Sequence, residues 1–186
     1  IRAEGTGLLC RCSIKIATPP ADDRMSHMKS PIRPTDDDAL SLARDLMAGA
    51  RFAALAYMDM ADGSPMVSRV ALVPGPDGMP LSLMSDLSHH SAALQHNPVC
   101  SLLIGEPKGK GDPLTHPRLS LRAEAQFIRH GEPGHAALAK AFLSKQPKAK
   151  LYIGFADFAL VRFTPLGAHL NGGFGKAYLL NADDLS

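Results

Sequence analysis

Residues 66–104, MVSRVALVPGPDGMPLSLMSDLSHHSAALQHNPVCSLLI, read as strand, turn, strand, polar turn, short helix and strand. Two apolar runs, 66–73 and 81–85, flank Pro74-Gly75-Pro76-Asp77-Gly78, a composition that reverses a chain. A short helix follows over 88–96, Asn97-Pro98 ends it, and 99–104 is a buried strand. Arg69 lies in the first of these strands. Ser85, Ser88, His89 and His90 cluster where the second strand turns into the helix. The first turn of a helix offers unpaired N–H groups and a partial positive charge. A turn rich in hydroxyls and imidazoles is therefore a candidate phosphate cradle, and it points to a phosphorylated cofactor.

On the N-terminal side, 35–50 is an amphipathic helix. Thr35 is placed to cap it, Asp36, Asp37 and Asp38 complement its dipole, and Ala39, Leu42, Ala43, Leu46, Met47 and Ala50 recur on one face. The run FAALAYM (52–58), a turn at Asp62-Gly63-Ser64-Pro65 and the strand from Met66 make a hairpin. On the C-terminal side, RLSLRAEAQFI (118–128) alternates with period two. Leu119, Leu121, Ala123, Ala125 and Phe127 share one face, and Arg118, Ser120, Arg122, Glu124 and Gln126 the other. A helix over 133–144, a strand over 157–163 and a Gly-rich closing segment, 169–180, complete the chain. Many strands joined by tight turns do not make a βαβ pattern. The expected fold class is mainly β (α+β), a small antiparallel barrel with peripheral helices.

The chain has 186 residues, 45% hydrophobic and 20% charged, with a formal net charge of +2. That balance gives no reason to expect nucleic acid or a membrane as partner, and with 5% aromatics and no Trp there is no stacking platform for bases. Cys10-Arg-Cys12 lacks zinc spacing, and Cys100 lies in an apolar run as an inert thiol, so a reduced, cytoplasmic protein is expected. The first 24 residues make a poor signal peptide, and Met25 or Met28 is a candidate start. The expected organisation is a disordered or non-native tail over 1–28 and a single domain over 29–186.

The order Arg69-Val70-Ala71-Leu72, Ser85-x-x-Ser88-His89-His90, Asn97-Pro98-x-x-Ser101-Leu102-Leu103, Asp112-Pro113-Leu114-x-x-Pro117-Arg118-Leu119-Ser120-Leu121, Asp157-Phe158-x-Leu160-x-Arg162-Phe163 and Gly172-Gly173-Phe174-Gly175 resembles the pyridoxamine 5′-phosphate oxidase-like FMN-binding split barrel. More narrowly, it resembles the haem-utilisation branch of that superfamily. The resemblance implies a six-stranded split barrel, a homodimer with cofactor at the subunit interface, and FMN-dependent oxidoreductase chemistry. It assigns cofactor contact to Arg69, Val70, Leu83, Met84, Ser85, Ser88, His89, His90 and Arg118. Two departures matter. Pro74 stands where the family has a lysine, and His89-His90 stand for an Arg-Lys pair. A bound phosphate dianion is expected to raise the pKa of the two imidazoles, making FMN binding pH-dependent.

Other readings stay open. A haem-binding protein would use the same cleft, and a haem iron needs only one axial His, so the scattered His96, His116, His130, His135 and His169 leave haem possible while giving no zinc spacing. A cofactor-less scaffold is the third reading. Gly172–Gly175 carries no phosphate-loop pattern and reads as a chain reversal in which Phe174 fills an apolar gap. No catalytic residue, metal site or substrate follows from the sequence.

Overall fold

A computed structural model describes residues 32–185. The expected tail over 1–28 lies outside them. Nine strands and three α-helices follow one another: β1 (Ile32–Arg33), α1 (Asp37–Ala48), β2 (Phe52–Met58), β3 (Pro65–Ala71), β4 (Val73–Pro74), β5 (Pro80–Ser85), α2 (His89–His96), β6 (Val99–Ile104), β7 (Arg118–Ile128), α3 (His135–Lys145), β8 (Phe158–Asn171) and β9 (Ala177–Asn181).

Six of these strands form the expected split barrel. They pair antiparallel in the order β3-β2-β6-β7-β8-β5, and among the described residues no ladder joins β3 to β5, which leaves the barrel open there. The sheet departs from six antiparallel strands through its additions. β9 pairs with the second half of β8, β1 runs parallel to β9, and the two-residue β4 pairs with β5. The 14-residue β8 makes this possible, because its first half serves β5 and its second half β9. A register shift between Arg122 and Ala123 of β7 marks the bend, and Pro165 of β8 faces Ala123 there, at an irregularity where a missing N–H is tolerated.

The core follows the alternation read from the sequence. Leu119, Leu121, Ala123 and Ala125 point inward with Leu55, Leu102, Ile104, Val161, Phe163 and Leu170, and Ala39, Ala43 and Met47 of α1 pack on the same cluster. A second cluster under α3 gathers Val73, Leu81, Ile128, Phe142 and Leu160. Helix α1 starts one residue later than Thr35 would set. The Asp36 carboxylate accepts from Ala39 N at 2.8 Å and is the cap, while the Thr35 hydroxyl donates to the Leu179 carbonyl. Phe174 does not fill a gap in its own chain, because at the β8–β9 turn it is 96% exposed. No helix of the described residues is long and apolar enough to cross a membrane.

Candidate functional site

The turn from β5 into α2 is tied down by its own hydroxyls. Ser85 Oγ donates to Asp157 Oδ2 (2.6 Å) and accepts from Leu87 N (3.1 Å). Ser88 Oγ donates to the Ser85 carbonyl (2.7 Å) and lies 3.1 Å from His90 Nε2 and 2.8 Å from Ser91 Oγ. Ser88 stands at the N-cap position of α2 but makes no side-chain cap hydrogen bond, since its hydroxyl is turned back to the preceding strand. His89 Nδ1 lies 3.4 Å from the Tyr57 hydroxyl, which is itself 3.4 Å from Ser68 Oγ, and His89 Nε2 lies 3.5 Å from Asp59 Oδ2. Burial holds the His90 imidazole below its ordinary 6.5, and His89 beside it adds to the effect. Asp86 is clamped by both Arg129 amino groups at 2.7 and 2.9 Å. That contact keeps its carboxyl below the usual carboxylate range.

Of the nine residues expected at a cofactor, one chain brings Ser85, Ser88, His89 and His90 together and leaves the others apart. Arg69 faces Ala54 across the β2–β3 ladder, on the side opposite Ser68 and Val70, and its guanidinium lies 5.4 Å above the Phe52 ring. Val70 and Met84 are buried in the main core, and Leu83 packs against the second cluster. The Arg118 guanidinium donates to the Leu114 carbonyl (2.8 Å) and the His116 carbonyl (3.4 Å), bracing the loop before β7. A cleft of about 420 Å³, lined by Leu42, Leu46, Phe52, Gly105, His116 and Pro117 among others, includes none of the nine.

The ladders place a different set of residues in line. Arg69, Ala54, Leu103, Ser120, His169 and Leu179 are successive partners across β3, β2, β6, β7, β8 and β9, so their side chains share the outer face of the sheet. The next row on that face is Val67, Ala56, Ser101, Arg122, Gly167 and Asn181. Val67, Leu103 and Leu179 are 65%, 45% and 50% exposed, so among the described residues nothing covers this face. Gly167 has a positive φ of 143°. A Cβ there would meet the Leu180 carbonyl at 3.0 Å and Arg122 Nη2 at 3.2 Å, so the bare backbone makes room for that guanidinium beside His169.

The His169 side chain makes no hydrogen bond or ion pair within the described residues, in contrast to those of His89, His90, His116 and His130. In sequence it is one of the scattered histidines. Alternation carried on from Val161 and Phe163 puts His169 on the buried face; the irregular register opposite Arg122 and Ala123 shifts the phase, so Ala168 and Leu170 are buried and His169 is exposed. Tyr57 reads in sequence as one more apolar strand residue, and only its hydroxyl contacts set it apart.

The open six-stranded barrel with its additions is that of the FMN-binding split-barrel superfamily. Residues 34–185 match the family described as "CREG, beta-barrel", and the chain belongs to it. A non-canonical haem oxygenase, HOZ, chloroplastic, of Arabidopsis thaliana is 34% identical over 119 residues. That stretch is 63% of this chain, and the chain spans only 35% of that curated relative's length. A haem-binding protein from Mycobacterium smegmatis is 28% identical with a TM-score of 0.72, over 83% of this chain and 61% of the other. A Clostridium acetobutylicum protein of the pyridoxinephosphate oxidase family shares the fold at 15% identity, with a TM-score of 0.60 over 82% of this chain and 100% of the other.

Proposed function

We propose that this chain is a haem-binding member of its family that works as a homodimer, with haem held on the outer sheet face. The observation that carries the reading is His169, an exposed imidazole with no partner in the described residues, set in one row between Ser120 and Leu179 with Leu103 next beyond. Haem is flat, apolar over most of its area and doubly anionic at one edge. It asks for an apolar surface, a cation near that edge and one axial nitrogen. Leu103 and Leu179 supply the first, Arg122 over Gly167 the second and His169 the third. From strand spacing and rise, the Cα atoms of Arg122 and His169 stand about 8 Å apart, within reach of one ligand. Both cited relatives with haem in their descriptions support this reading. A second copy would cover the exposed Val67, Leu103 and Leu179, which a monomer leaves in water. Bound haem would supply redox and oxygen chemistry, and the residues named here would hold and orient it. The cytoplasmic location belongs to the same proposal and rests on the free, buried Cys100 thiol.

Haemin titration into the purified chain tests the reading. A Soret band that shifts and saturates is expected, and in His169→Ala it should need about 100-fold more haemin to saturate. An unchanged spectrum overturns it. Light scattering on the same sample should give twice the chain mass.

One observation favours a second reading, FMN. The N-terminus of α2 has no side-chain cap, which leaves it able to take a phosphate near Ser88, His89 and His90. Arg69, Val70, Leu83, Met84, Ser85 and Arg118 complete the contacts that this reading assigns. Flavin absorption at about 450 nm after loading would support it. A colourless protein that takes neither group would leave the scaffold reading.

A further inference from the structure

The turn between β7 and α3 brings two imidazoles together. The rings of His130 and His135 have centroids 4.3 Å apart and planes inclined by 45°. Four residues separate them, a spacing found in the histidine half of zinc fingers but not on one face of a helix, and the turn itself produces the pairing. Gly131 and Gly134 both adopt positive φ, His135 N donates to the Glu132 carbonyl (3.2 Å), and Arg129 N donates to Glu132 Oε2 (2.9 Å), folding that carboxylate back over the turn. His130 Nε2 lies 2.9 Å from the Ile153 carbonyl. A carbonyl oxygen only accepts, so Nε2 carries the proton and Nδ1 of the neutral ring keeps a free lone pair. An imidazole oriented this way by a carbonyl on its far nitrogen is the usual support of a metal-bound histidine. His135 opens α3 behind Gly134, which provides no side-chain cap.

Two imidazoles binding one ion at about 2.0–2.1 Å, near a right angle, have ring centres about 4.5 Å apart. The observed centroid separation of 4.3 Å is close to that spacing. We propose that His130 and His135 form a binding site for a borderline divalent transition-metal ion, with water completing the coordination shell. Among the described residues no three His, Cys, Asp or Glu side chains gather to hold an ion, so this is a two-ligand site. Its preference follows the general order in which Cu²⁺ binds more tightly than Ni²⁺ or Zn²⁺. The site lies apart from the His169 face and depends on neither haem nor FMN.

The test is calorimetric titration of the cofactor-free full chain with Ni²⁺ and Cu²⁺ near about pH 7.5, where imidazoles are mostly neutral. Saturable binding is expected, weakened at least about tenfold in His130→Ala and in His135→Gln and unchanged in His96→Ala, with nitrogen hyperfine structure in the Cu²⁺ resonance spectrum. His130→Ala also removes the bond to Ile153. His135→Gln removes a ring that makes no hydrogen bond in the structure, so that variant keeps the test valid should the other unfold. Affinity unchanged in His135→Gln, or no saturable binding at all, overturns the proposal. Either result leaves the haem reading standing, because haemin uptake is read separately.

Discussion

The turn at 85–91 and the sheet face around His169 both carry imidazoles, and they differ in what the chain itself gives them. In the turn, Ser85, Ser88, Ser91, His89 and His90 engage one another, Tyr57, Asp59 and Asp157, so the polar capacity that looked ready for a ligand is largely spent internally. On the sheet face, His169 stands among exposed leucines with no such partner. A cluster of polar residues in sequence thus marks a well-braced turn as readily as a binding site. Exposed apolar side chains around an unpartnered imidazole are the costlier arrangement to leave in water, and the face points outward to something else.

The largest effect should come from His169→Ala. Haemin affinity is expected to fall about 100-fold, equivalent to about 2.7 kcal/mol, with the unfolding midpoint unchanged because the side chain is exposed and unpartnered. His89→Ala in the same titration should change affinity less than about twofold, well inside one tenfold step of about 1.4 kcal/mol. The reverse ranking would break the comparison and return the cofactor to the turn.

Next comes Ser85→Ala. The hydroxyl is half-buried, donates to Asp157 and accepts from Leu87 N, so its removal leaves both partners short. Urea denaturation should show a loss of about 1–3 kcal/mol. Ser120→Ala, on the bare face, should stay within about 0.5 kcal/mol. Equal losses at the two serines would mean that the turn is no better braced than the face.

Much of this is legible in the sequence. The strands 52–58, 99–104 and 118–128 follow directly from apolar runs and strict alternation, because burial of one face imposes that pattern. In sequence β8 ends at Phe163, because Thr164, Pro165 and Gly167 break the alternation. The structure carries the strand to Asn171 by placing Pro165 at the irregular register and Gly167 at the bend. The parallel β1–β9 pair depends on two residues each from distant parts of the chain, and no local pattern announces it. At the site, alternation already separates Arg69 from Ser68. Only the ladders reveal that Arg69 shares a row with His169 while Ser68 looks toward Tyr57 and His89.

His90 offers a sharper test of the turn through pH. Its folded-state pKa lies below the ordinary 6.5, so the unfolded chain binds the proton more readily. At pH above 6.5 both states are neutral and the group contributes nothing to the difference. As pH falls below 6.5, the unfolded state charges first and stability declines, by less than about 1.4 kcal/mol per pH unit for one proton. His90→Gln should flatten that slope in melting curves taken between about pH 7 and 5. A steeper slope in the variant would mean that the imidazole is charged in the folded turn.

The smallest expected effect tests the outer fastening of the same turn. Asp86 joins it to the end of β7 through both Arg129 amino groups, and Gln95 of α2 adds a third contact at 2.8 Å. The contact with Arg129 depresses the Asp86 pKa. Its stabilising contribution is therefore present above the ordinary 3.8 and is lost as pH falls through the lower folded-state value. The side chains of Asp86 and Arg129 are 34% and 40% exposed, so water screens the pair and the two-point geometry outweighs the charge. Asp86→Asn should cost about 0.5 kcal/mol at neutral pH, with the difference from wild type shrinking in high salt and vanishing in strong acid. A loss of several kcal/mol would place the strength of the turn in this surface pair and not in the serine network beneath it.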